Sequence, residues 1–208
     1  AGIIGREKEL AAALACIRLS KNLLIEGPVG VGKTVLALAA AHHLGKAFFR
    51  VDGDERYTEQ KLTGWFDPPN VLAKGYSEDA FIPGPLTQAM LDSGILFINE
   101  LNRMPESVQN VLLPSLDERY LSIPKYGDLK ARESFTVIAT QNPREFVATS
   151  HLSEALRDRF ELIVLDYQQL GEEAEIVRLN LPKNAKACDE LIEAAVALVR
   201  ATRESPKI

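Results

Sequence analysis

One stretch near the N-terminus constrains this chain more than any other feature: Gly27-Pro28-Val29-Gly30-Val31-Gly32-Lys33-Thr34. It matches the pattern G-x-x-x-x-G-K-[ST] at every fixed position. The apolar run 22–26 before it predicts a buried strand, and the run 35–41 after it predicts a helix. A strand, a glycine-rich loop and a helix in this order predict a phosphate-binding site. A glycine-rich turn that binds nothing is the alternative.

The residue types explain how such a loop would hold a phosphate. Its glycines let the backbone turn N–H groups toward an anion, and the helix N-terminus adds donors and a partial positive charge. The Lys33 ammonium can reach the β- and γ-phosphates of a nucleotide, and the Thr34 hydroxyl can ligate Mg²⁺. The nucleotide-binding residues predicted in this segment are Gly27, Pro28, Val29, Gly30, Val31, Gly32, Lys33, Thr34 and Val35.

Length, charge and cysteine content narrow the classes of protein open to this chain. Its 208 residues suit one domain and part of another, and its two ends are those expected of a piece of a longer protein. The net charge of −5 argues mildly against broad nucleic-acid binding. No apolar run is long enough to span a membrane, and no signal-peptide pattern is present. Cys16 and Cys188 each lie in a helical pattern, so we expect buried free thiols and a reducing, cytoplasmic location.

Apolar runs alternate with helical patterns along most of the chain, which predicts a parallel sheet covered by helices. The predicted strands are 22–26, 47–51, 95–98, 136–140 and 162–165. The predicted helices are 7–19, 35–44, 86–92, 105–118, 154–159, 172–181 and 187–203. Pro114 should kink its helix or end it early. The last helix should bury an apolar stripe formed by Leu191, Ala195, Leu198 and Val199.

Two segments do not fit a simple crossover between strand and helix. Breakers at 67–70 and 82–85 enclose residues 71–81, for which we expect a short hairpin. An insertion of this kind on a compact sheet domain more often has a function than not. Residues 120–124 and 131–135 flank a turn, which predicts a second hairpin.

Several motifs in a fixed order resemble those of the AAA+ ATPases, and within them the MoxR group of the helix-2-insert clade. They are the glycine-rich loop and the segments 81–86, 95–103, 139–143 and 153–160. The resemblance covers nearly the whole chain. It implies a P-loop NTPase fold, a three-layer αβα sandwich with a five-stranded parallel sheet over residues 1–167, followed by the start of a helical lid over 168–208. It also implies ATP and Mg²⁺ as cofactors and ATP hydrolysis as the activity.

The segment 95–103 contains Asn99-Glu100 where the resemblance implies Asp-Glu. Glu100 matches the glutamate that polarises the attacking water, a role that needs a carboxylate near the γ-phosphate. A solvated charge at a strand end is the alternative. Asn99 stands where an aspartate helps to hold Mg²⁺. Its amide oxygen can accept a hydrogen bond from a metal-bound water but lacks negative charge, so the departure bears on metal affinity more than on nucleotide binding.

Three further sites follow from the resemblance. Asn142 matches a sensor position whose amide can hydrogen-bond the attacking water or a γ-phosphate oxygen, while an Asn-Pro turn is the local alternative. Arg159 matches an arginine finger supplied to a neighbouring subunit, with Arg157 as second candidate and a surface arginine as the alternative. Ile4 and Gly5 match the segment that packs on the adenine, or they pack as an ordinary N-terminus. The family's second sensor arginine has no match before the end of the chain.

The resemblance also implies partners. An arginine finger requires an oligomer, which in this family is a ring, usually a hexamer. The work implied is chaperone-like remodelling or maturation of a protein complex, including metal-cofactor insertion, with a client and a von Willebrand factor A domain protein as partners. Segments 67–83 and 120–134 would face the pore or the partner. Trp65 and Phe66 would contact that partner or pack in the core.

Two other functions stay open at this point. One is a nucleotide-binding regulatory module with weak turnover, for which Asn99 and the incomplete lid argue. The other is a DNA-directed AAA+ motor, which the acidic charge balance disfavours.

Overall fold

A computed structural model of the protein describes residues 3–142, 152–182 and 188–204. Its strands are β1 (Leu23–Glu26), β2 (Phe48–Asp52), β3 (Gly64–Phe66), β4 (Phe81–Pro83), β5 (Ile95–Asn99), β6 (Tyr120–Ile123), β7 (Gly127–Lys130), β8 (Thr136–Gln141) and β9 (Glu161–Val164). Its α-helices are α1 (Glu7–Arg18), α2 (Lys33–His43), α3 (Glu59–Thr63), α4 (Pro68–Lys74), α5 (Pro85–Leu91), α6 (Glu106–Asp117), α7 (Glu154–Arg157), α8 (Leu170–Asn180) and α9 (Asp189–Glu204). Short 3₁₀ turns cover Glu78–Ala80 and Leu101–Arg103.

The main sheet has five parallel strands in the order β2-β5-β8-β1-β9. Leu23 at the start of β1 lies opposite Ile138 on β8 and Glu161 on β9. This arrangement confirms the predicted five-stranded parallel sheet, with strand ends shifted by about one residue. Because all five strands run in the same direction, their carboxyl ends meet at one edge, and the glycine-rich loop after β1 lies at that edge.

Strand β5 is buried on both faces and joins the two cores of the molecule. Leu96 and Ile98 pack with α5 and α6 on one face, while Ile95 and Phe97 pack with α1 and α2 on the other. Phe97 also stacks on Phe48, with ring centroids 5.2 Å apart. Each fully buried side chain of this kind contributes roughly 1.5–3 kcal/mol to folding. Successive side chains of β5 thus pack into the cores on opposite faces of the sheet, and helices cover both faces. This produces the three layers that the sequence predicts.

Helix α6 continues through Pro114 to Asp117, so the expected early stop is wrong. A proline inside a helix removes one hydrogen bond and costs roughly 3 kcal/mol. Val108 and Leu112 before the proline and Leu116 after it are all buried in the core. Burial on both sides of Pro114 offsets its cost and keeps the helix intact.

The insert between β2 and α5 differs from its prediction. Residues 71–81 do not form a hairpin: α4 occupies their first part, and β3 and β4 pair antiparallel on either side of it. Asp67 caps α4 by accepting a hydrogen bond from the Asn70 N–H at 3.4 Å. Pro68 stands at the first helical position, where a missing N–H costs nothing. The prolines that indicate a break therefore begin a helix here.

The second hairpin forms, but its return strand comes earlier than predicted. Strand β6 pairs with β7, so residues 131–135 are not the return strand. Lys125 has left-handed backbone with φ 69°, which turns the chain within three residues. Tyr126 at the tip packs on Phe81, with ring centroids 4.4 Å apart, and Phe81 packs on Phe66 at 5.3 Å. The hairpin is thus attached to the insert by an aromatic cluster.

Helices α8 and α9 pack on each other through a small core of their own. Its buried members are Ala174, Ile192 and Val196, with Leu181 partly buried beside them. The predicted stripe on the last helix is wrong, since Leu191 is 59% exposed and Leu198 68% exposed. Ile192 and Val196, spaced i and i+4, form the inner face instead. The predicted helix start at residue 187 lies outside the described residues.

Both cysteines are free thiols, as the sequence predicts. Cys16 is half-buried, and burial together with Glu161 raises the pKa of its thiol. Cys188 is exposed, so its predicted burial is wrong. No helix within the described ranges is long and apolar enough to cross a membrane.

Candidate functional site

The glycine-rich loop connects the carboxyl end of β1 to the N-terminus of α2. Gly30 and Gly32 have φ of 85° and 90°, a left-handed conformation that glycine adopts without strain. A side chain at Gly27 would place its Cβ 2.4 Å from the backbone oxygen of Leu165. The loop therefore needs glycine for two different reasons, backbone conformation at its centre and close approach at its start.

Lys33 is the cation of the loop, and only 8% of its surface is exposed. Its Nζ donates hydrogen bonds to the backbone oxygens of Gly27 (2.6 Å) and Pro28 (2.8 Å) and to Asn142 Oδ1 (2.8 Å). Burial lowers the pKa of the Lys33 ammonium, and the nearby Glu100 carboxylate partly opposes this. The result is a buried positive charge at the start of a helix, which is the environment that attracts an anion.

Glu100 follows the end of β5 and completes this network. Its Oε1 accepts a hydrogen bond from Asn142 Nδ2 at 3.1 Å, and its Oε2 accepts one from Arg103 at 2.8 Å. Its backbone is left-handed, with φ 56° and ψ 53°, which is uncommon for a residue with a side chain and concentrates at functional sites. The structure thus brings together three residues singled out in the sequence, Lys33, Asn142 and Glu100, and adds Arg103.

Asn99 is held by hydrogen bonds on both sides of its amide. The Thr140 hydroxyl accepts from the Glu100 N–H at 2.9 Å and donates to Asn99 Oδ1 at 3.0 Å. On the other side, Asn99 Nδ2 donates to Asp52 Oδ1 at 3.0 Å. Hydrogen bonds from the Arg50 guanidinium keep the pKa of the Asp52 carboxyl below its usual value; burial opposes this, and the hydrogen bond from Asn99 adds a smaller lowering.

Sequence reasoning missed Asp52, although one signal pointed to it. It is the last residue of β2 and lies opposite Asn99 in the strand register. A polar residue at the carboxyl end of a predicted strand belongs to the edge where ligands bind. Gly53, the next residue, donates its N–H to the Asn99 backbone oxygen at 2.7 Å, and a Cβ there would lie 2.1 Å from the Glu100 backbone oxygen.

Thr34 and Asn99 supply oxygen atoms at this edge of the sheet, which is the type of ligand that Mg²⁺ takes. Thr34 is half-buried in the first turn of α2, and the amide oxygen of Asn99 faces the strand that separates it from β1. No group of three or more His, Cys, Asp or Glu side chains arranged for a metal occurs among the described residues. Mg²⁺ usually takes only one or two ligands from the protein and the rest from phosphates and water, so a sparse set of oxygens is what it requires.

A cavity of about 370 Å³ lies beside the loop, next to the N-terminal segment. The predicted residue Ile4 lines it together with Val31, Val35, Gln168 before α8 and Ile176 on α8. Gly5 has φ 65°, and a Cβ there would lie 2.2 Å from the Glu172 carboxylate. Ile4 thus lies beside the loop and Gly5 packs against α8, and contact of either residue with an adenine stays a prediction.

A chain of contacts that the sequence did not indicate links the loop, through Tyr167, to the two C-terminal helices. The Tyr167 hydroxyl donates to the Val29 backbone oxygen at 3.3 Å. The Arg203 guanidinium lies 3.9 Å from the centroid of the Tyr167 ring, a cation–π distance. Glu173 pairs with Arg203 at 2.5 Å and with Arg200 at 3.3 Å. Buried Arg6 adds a link on the other side by donating to the backbone oxygens of Val31 and Asp166.

Arg159 lies away from this network. Its backbone oxygen accepts from Asn22 just before β1, at the amino edge of the sheet, whereas Lys33 follows the carboxyl edge. Its side chain pairs with Asp117 at the end of α6 and donates to the Ala155 backbone oxygen. Arg157, the second candidate, is exposed. Within one chain the structure therefore does not bring either arginine to Glu100, and a role toward a neighbouring chain stays a prediction.

The fold and the loop together define the class of the protein: a P-loop NTPase domain with a five-stranded parallel sheet. More narrowly, residues 22–160 match the family model of the AAA domain (dynein-related subfamily), and the chain belongs to this family of nucleotide-binding domains.

The relatives that share this domain are uncharacterized proteins. An uncharacterized protein of Staphylococcus epidermidis is 33% identical over 180 residues, which are 86% of this chain and 66% of the relative. An uncharacterized protein of Staphylococcus aureus is 35% identical over 157 residues, which are 74% of this chain and 59% of the relative. The chain thus spans slightly less than two thirds of the length of these relatives.

Two solved structures show the same fold. A candidate ATPase from Cytophaga hutchinsonii aligns with a TM-score of 0.70 at 23% identity, over 95% of this chain and 59% of that protein. NtrX from Brucella abortus, crystallised in complex with ADP, aligns with a TM-score of 0.61 at 19% identity, over 86% of this chain and 40% of NtrX.

Proposed function

We propose that this chain binds ATP with Mg²⁺ and hydrolyses it as the ATPase unit of a MoxR-type AAA+ protein. The observation that carries the proposal is the continuous network Lys33–Asn142–Glu100. It places a buried cation, an amide and a carboxylate beside one glycine-rich loop. These are the three kinds of group that hydrolysis of a phosphoanhydride needs: one to hold the phosphate, one to orient the water and one to accept its proton.

The nucleotide would extend from the N-terminal cavity to the glycine-rich loop. The phosphates would bind the N–H groups of residues 27–34 and the Lys33 ammonium. The base would enter the apolar cavity formed by Ile4, Val31 and Val35. NtrX, which has the same fold, was crystallised with ADP, and this supports nucleotide binding by the present chain.

Thr34 and Asn99 would hold the magnesium ion, Thr34 through its hydroxyl and Asn99 through its amide oxygen. When bound, the ion would supply positive charge that offsets the negative charge of the phosphates. The amide at position 99 is neutral, so it attracts the ion less than a carboxylate would.

Hydrolysis would proceed by in-line attack of a water on the γ-phosphate. A carboxylate has about four lone-pair sites, so Glu100 can keep its bonds to Asn142 and Arg103 and still accept the proton of a water. Asn142 would hold that water or a γ-phosphate oxygen, and Lys33 would stabilise the charge that develops on the phosphate. Arg159 of a neighbouring subunit would complete the site from outside.

The C-terminal helices, Arg159 and Trp65 support a role for this chain as one subunit of an AAA+ oligomer. Residues 1–167 would form the nucleotide-binding domain, and residues 168–208 the beginning of a lid, for which the separate core of α8 and α9 argues. The oligomer would be a ring in which Arg159 of one subunit meets the nucleotide of the next. Its work would be chaperone-like remodelling of a client, together with a von Willebrand factor A domain protein. Trp65, 43% exposed on the insert, is available for such a contact.

Glu100→Gln tests the proposal directly. We expect ATP to bind with unchanged affinity, because the amide keeps the size of the side chain, and steady-state phosphate release to fall by about 10²–10⁴-fold because the base is lost. Glu106→Gln, a carboxylate exposed at the start of α6, is the matched control. Equal turnover by wild type and Glu100→Gln would remove Glu100 from the reaction.

A second candidate is a nucleotide-binding regulatory module with weak turnover. Asn99 favours it, since an amide in place of a carboxylate reduces the attraction for Mg²⁺. Phosphate release at saturating Mg²⁺ and ATP separates the two functions. Tight binding with negligible release, in wild type as in Glu100→Gln, would favour the regulatory module.

A further inference from the structure

The Asn99 amide has a fixed orientation. Because the Thr140 hydroxyl accepts from the Glu100 N–H, its own hydrogen points to Asn99 Oδ1. Strand β8, which carries Thr140, lies between β5 and β1 in the sheet, so the amide oxygen faces the side of the glycine-rich loop. The amide nitrogen faces the opposite side and donates to Asp52. An amide nitrogen turned toward the loop would repel a cation, and both hydrogen bonds prevent that orientation.

Asp52 explains why an asparagine stands at position 99. The two residues are register partners on adjacent strands, and their side chains are one hydrogen bond apart, at 3.0 Å. An aspartate at 99 would place two carboxylates at that distance with no donor between them, and like charges so close cannot both be ionised easily. One of the two positions can therefore carry the carboxylate and the other an amide. In this chain the carboxylate stands at position 52, one strand further from the loop.

We propose that Asp52 supplies, through the Asn99 amide, the negative charge with which this site retains a magnesium–nucleotide complex. The inference rests on the proposed function, since it concerns the metal of that same site. Partners one hydrogen bond behind a metal ligand orient the ligand and raise its electron density. Asp52 does both for Asn99, and the same hydrogen-bonded chain continues through Thr140 to the backbone of Glu100.

The ion pair of Asp52 with Arg50 reduces the charge available for this role. The Arg50 guanidinium donates from Nε to both carboxylate oxygens, at 3.2 and 3.0 Å, and from Nη2 to Oδ1 at 2.8 Å. Both side chains are about half exposed, 50% for Arg50 and 58% for Asp52, so water and salt screen the attraction between them. Asn99 donates to the same Oδ1, so the carboxylate still polarises and orients the amide.

The experiment compares ADP binding to the full chain in Mg²⁺ and in EDTA by isothermal titration calorimetry. Its readout is the ratio of the two Kd values, the Mg²⁺ enhancement. Asp52→Asn keeps the shape and an acceptor for Asn99 but loses the charge, so we expect the enhancement to fall about tenfold while the Kd in EDTA stays unchanged. Glu55→Gln removes an equal charge from an exposed residue nearby and should leave the ratio within about twofold.

Exchanging the residues at positions 52 and 99 is the most discriminating test of the proposal. Asn99→Asp alone should not increase the enhancement, because its carboxylate faces Asp52. Asp52→Asn combined with Asn99→Asp should restore at least the wild-type value, because the charge then stands at position 99. An unchanged enhancement in Asp52→Asn would overturn the proposal. So would a loss in Asp52→Ala that is absent in Asp52→Asn, because only the hydrogen bond would then matter.

Two further outcomes separate this inference from the function on which it rests. If wild type binds ADP equally well with and without Mg²⁺, the role of Asp52 is refuted and nucleotide binding stands. If wild type binds no nucleotide under either condition, the proposed function itself fails. Thermal unfolding of each variant shows whether it is folded, and the unchanged Kd in EDTA shows that its nucleotide site is intact.

Discussion

The loop edge of the sheet and the Asp117–Arg159 edge contain the two sets of charged residues on which the proposed reaction depends, and they are built differently. At the loop edge Lys33 is 8% exposed and bound by three acceptors, one of which leads on to Glu100. At the other edge the Arg159 side chain is 29% exposed and the Asp117 side chain 42% exposed, beside an open cavity of about 570 Å³. Both sets are bonded within the chain, but the first is buried and the second is partly exposed to solvent.

Under the proposed function, this difference would divide the reaction between subunits. The buried Lys33 ammonium keeps its position without a partner chain, because each of its contacts is internal. Arg159 is held by Asp117 and by the Ala155 backbone oxygen, but its side chain is partly exposed and would be accessible to a neighbouring copy. The isolated chain should therefore bind nucleotide competently and hydrolyse it poorly until copies meet.

The largest effect is expected for Arg159→Ala. Turnover of the assembled protein should fall by about 10³-fold or more, because an arginine finger is worth that much, while the Kd for ATP stays within about twofold. Phosphate release and calorimetry measure the two quantities. Arg157→Ala is the matched control; a loss in that variant with none in Arg159→Ala would transfer the role to Arg157.

Mixing two inactive variants tests whether the edges cooperate between chains. Subunits carrying Arg159→Ala keep an intact loop, and subunits carrying Lys33→Met keep an intact Arg159. Mixed rings should therefore regain a measurable part of wild-type turnover, because intact halves meet at some interfaces. Absence of any recovery in rings shown to be mixed by mass measurement would place both residues in one chain's site.

Lys33→Met should have the next largest effect and should act on binding. Methionine fills much of the same space without the ammonium, so the charge-assisted interaction with the phosphates that the proposal assigns to Lys33 is lost. The Kd for ATP should rise by about 10- to 100-fold, measured by calorimetry. Lys8→Met, an exposed change on α1, should have no effect. Unchanged affinity in Lys33→Met would mean that the buried ammonium does not face the nucleotide.

Asp117→Asn probes the exposed edge more gently. The ion pair with Arg159 is partly exposed, and such pairs contribute about 1 kcal/mol or less. Turnover should therefore change by no more than about fivefold, with ATP affinity unaffected. A loss as large as that of Arg159→Ala would show that Asp117 positions the arginine strictly and that this edge is as fixed as the other.

The smallest effect concerns stability and pH. The pKa of Lys33 is lowered by burial in the folded chain, so the folded state binds fewer protons than the unfolded state between that lowered pKa and the ordinary lysine value of 10.5. The stability cost of the buried ammonium is therefore present at neutral pH and disappears as pH rises through this window. Without nucleotide, the free energy of unfolding of wild type relative to Lys33→Met should therefore rise as the pH increases toward 10.5, on top of a constant difference from the three hydrogen bonds that methionine cannot make. Chemical denaturation at a series of pH values measures this slope, and a wild type that loses stability relative to the variant as pH rises would contradict the sign.

The local sequence pattern was sufficient to predict the structure where a single kind of contact determines it. The apolar runs around Ile98 and Ile138 predict buried parallel strands because such strands need apolar side chains on both faces. The glycine-rich loop predicts its own conformation, since only glycine takes φ near 90° freely at Gly30 and Gly32. The meeting of Lys33, Asn142 and Glu100 also followed, because their motifs end adjacent elements at one edge.

Elements whose structure depends on a distant neighbour were not predictable in this way. Leu198 and Ile192 are both apolar side chains of α9. Ile192 is buried because it packs with Ala174 of α8, whereas Leu198 lies outside that core and is exposed. Pro68 begins a helix because Asp67 caps it, although the same residues suit a turn. The role proposed for Asp52 depends on its hydrogen bond with Asn99, which is 47 residues away in the chain. No pattern within one segment contains such a pairing.

Gly53 limits how this site can evolve. Any side chain there would strike the Glu100 backbone, so position 53 should tolerate no substitution in a saturation-mutagenesis library. Positions 52 and 99 would be freer under the proposal, because the carboxylate and the amide could then exchange places as a pair. The carboxylate would thus be able to move between two strands, whereas the backbone that presents Glu100 requires the absence of a side chain at Gly53.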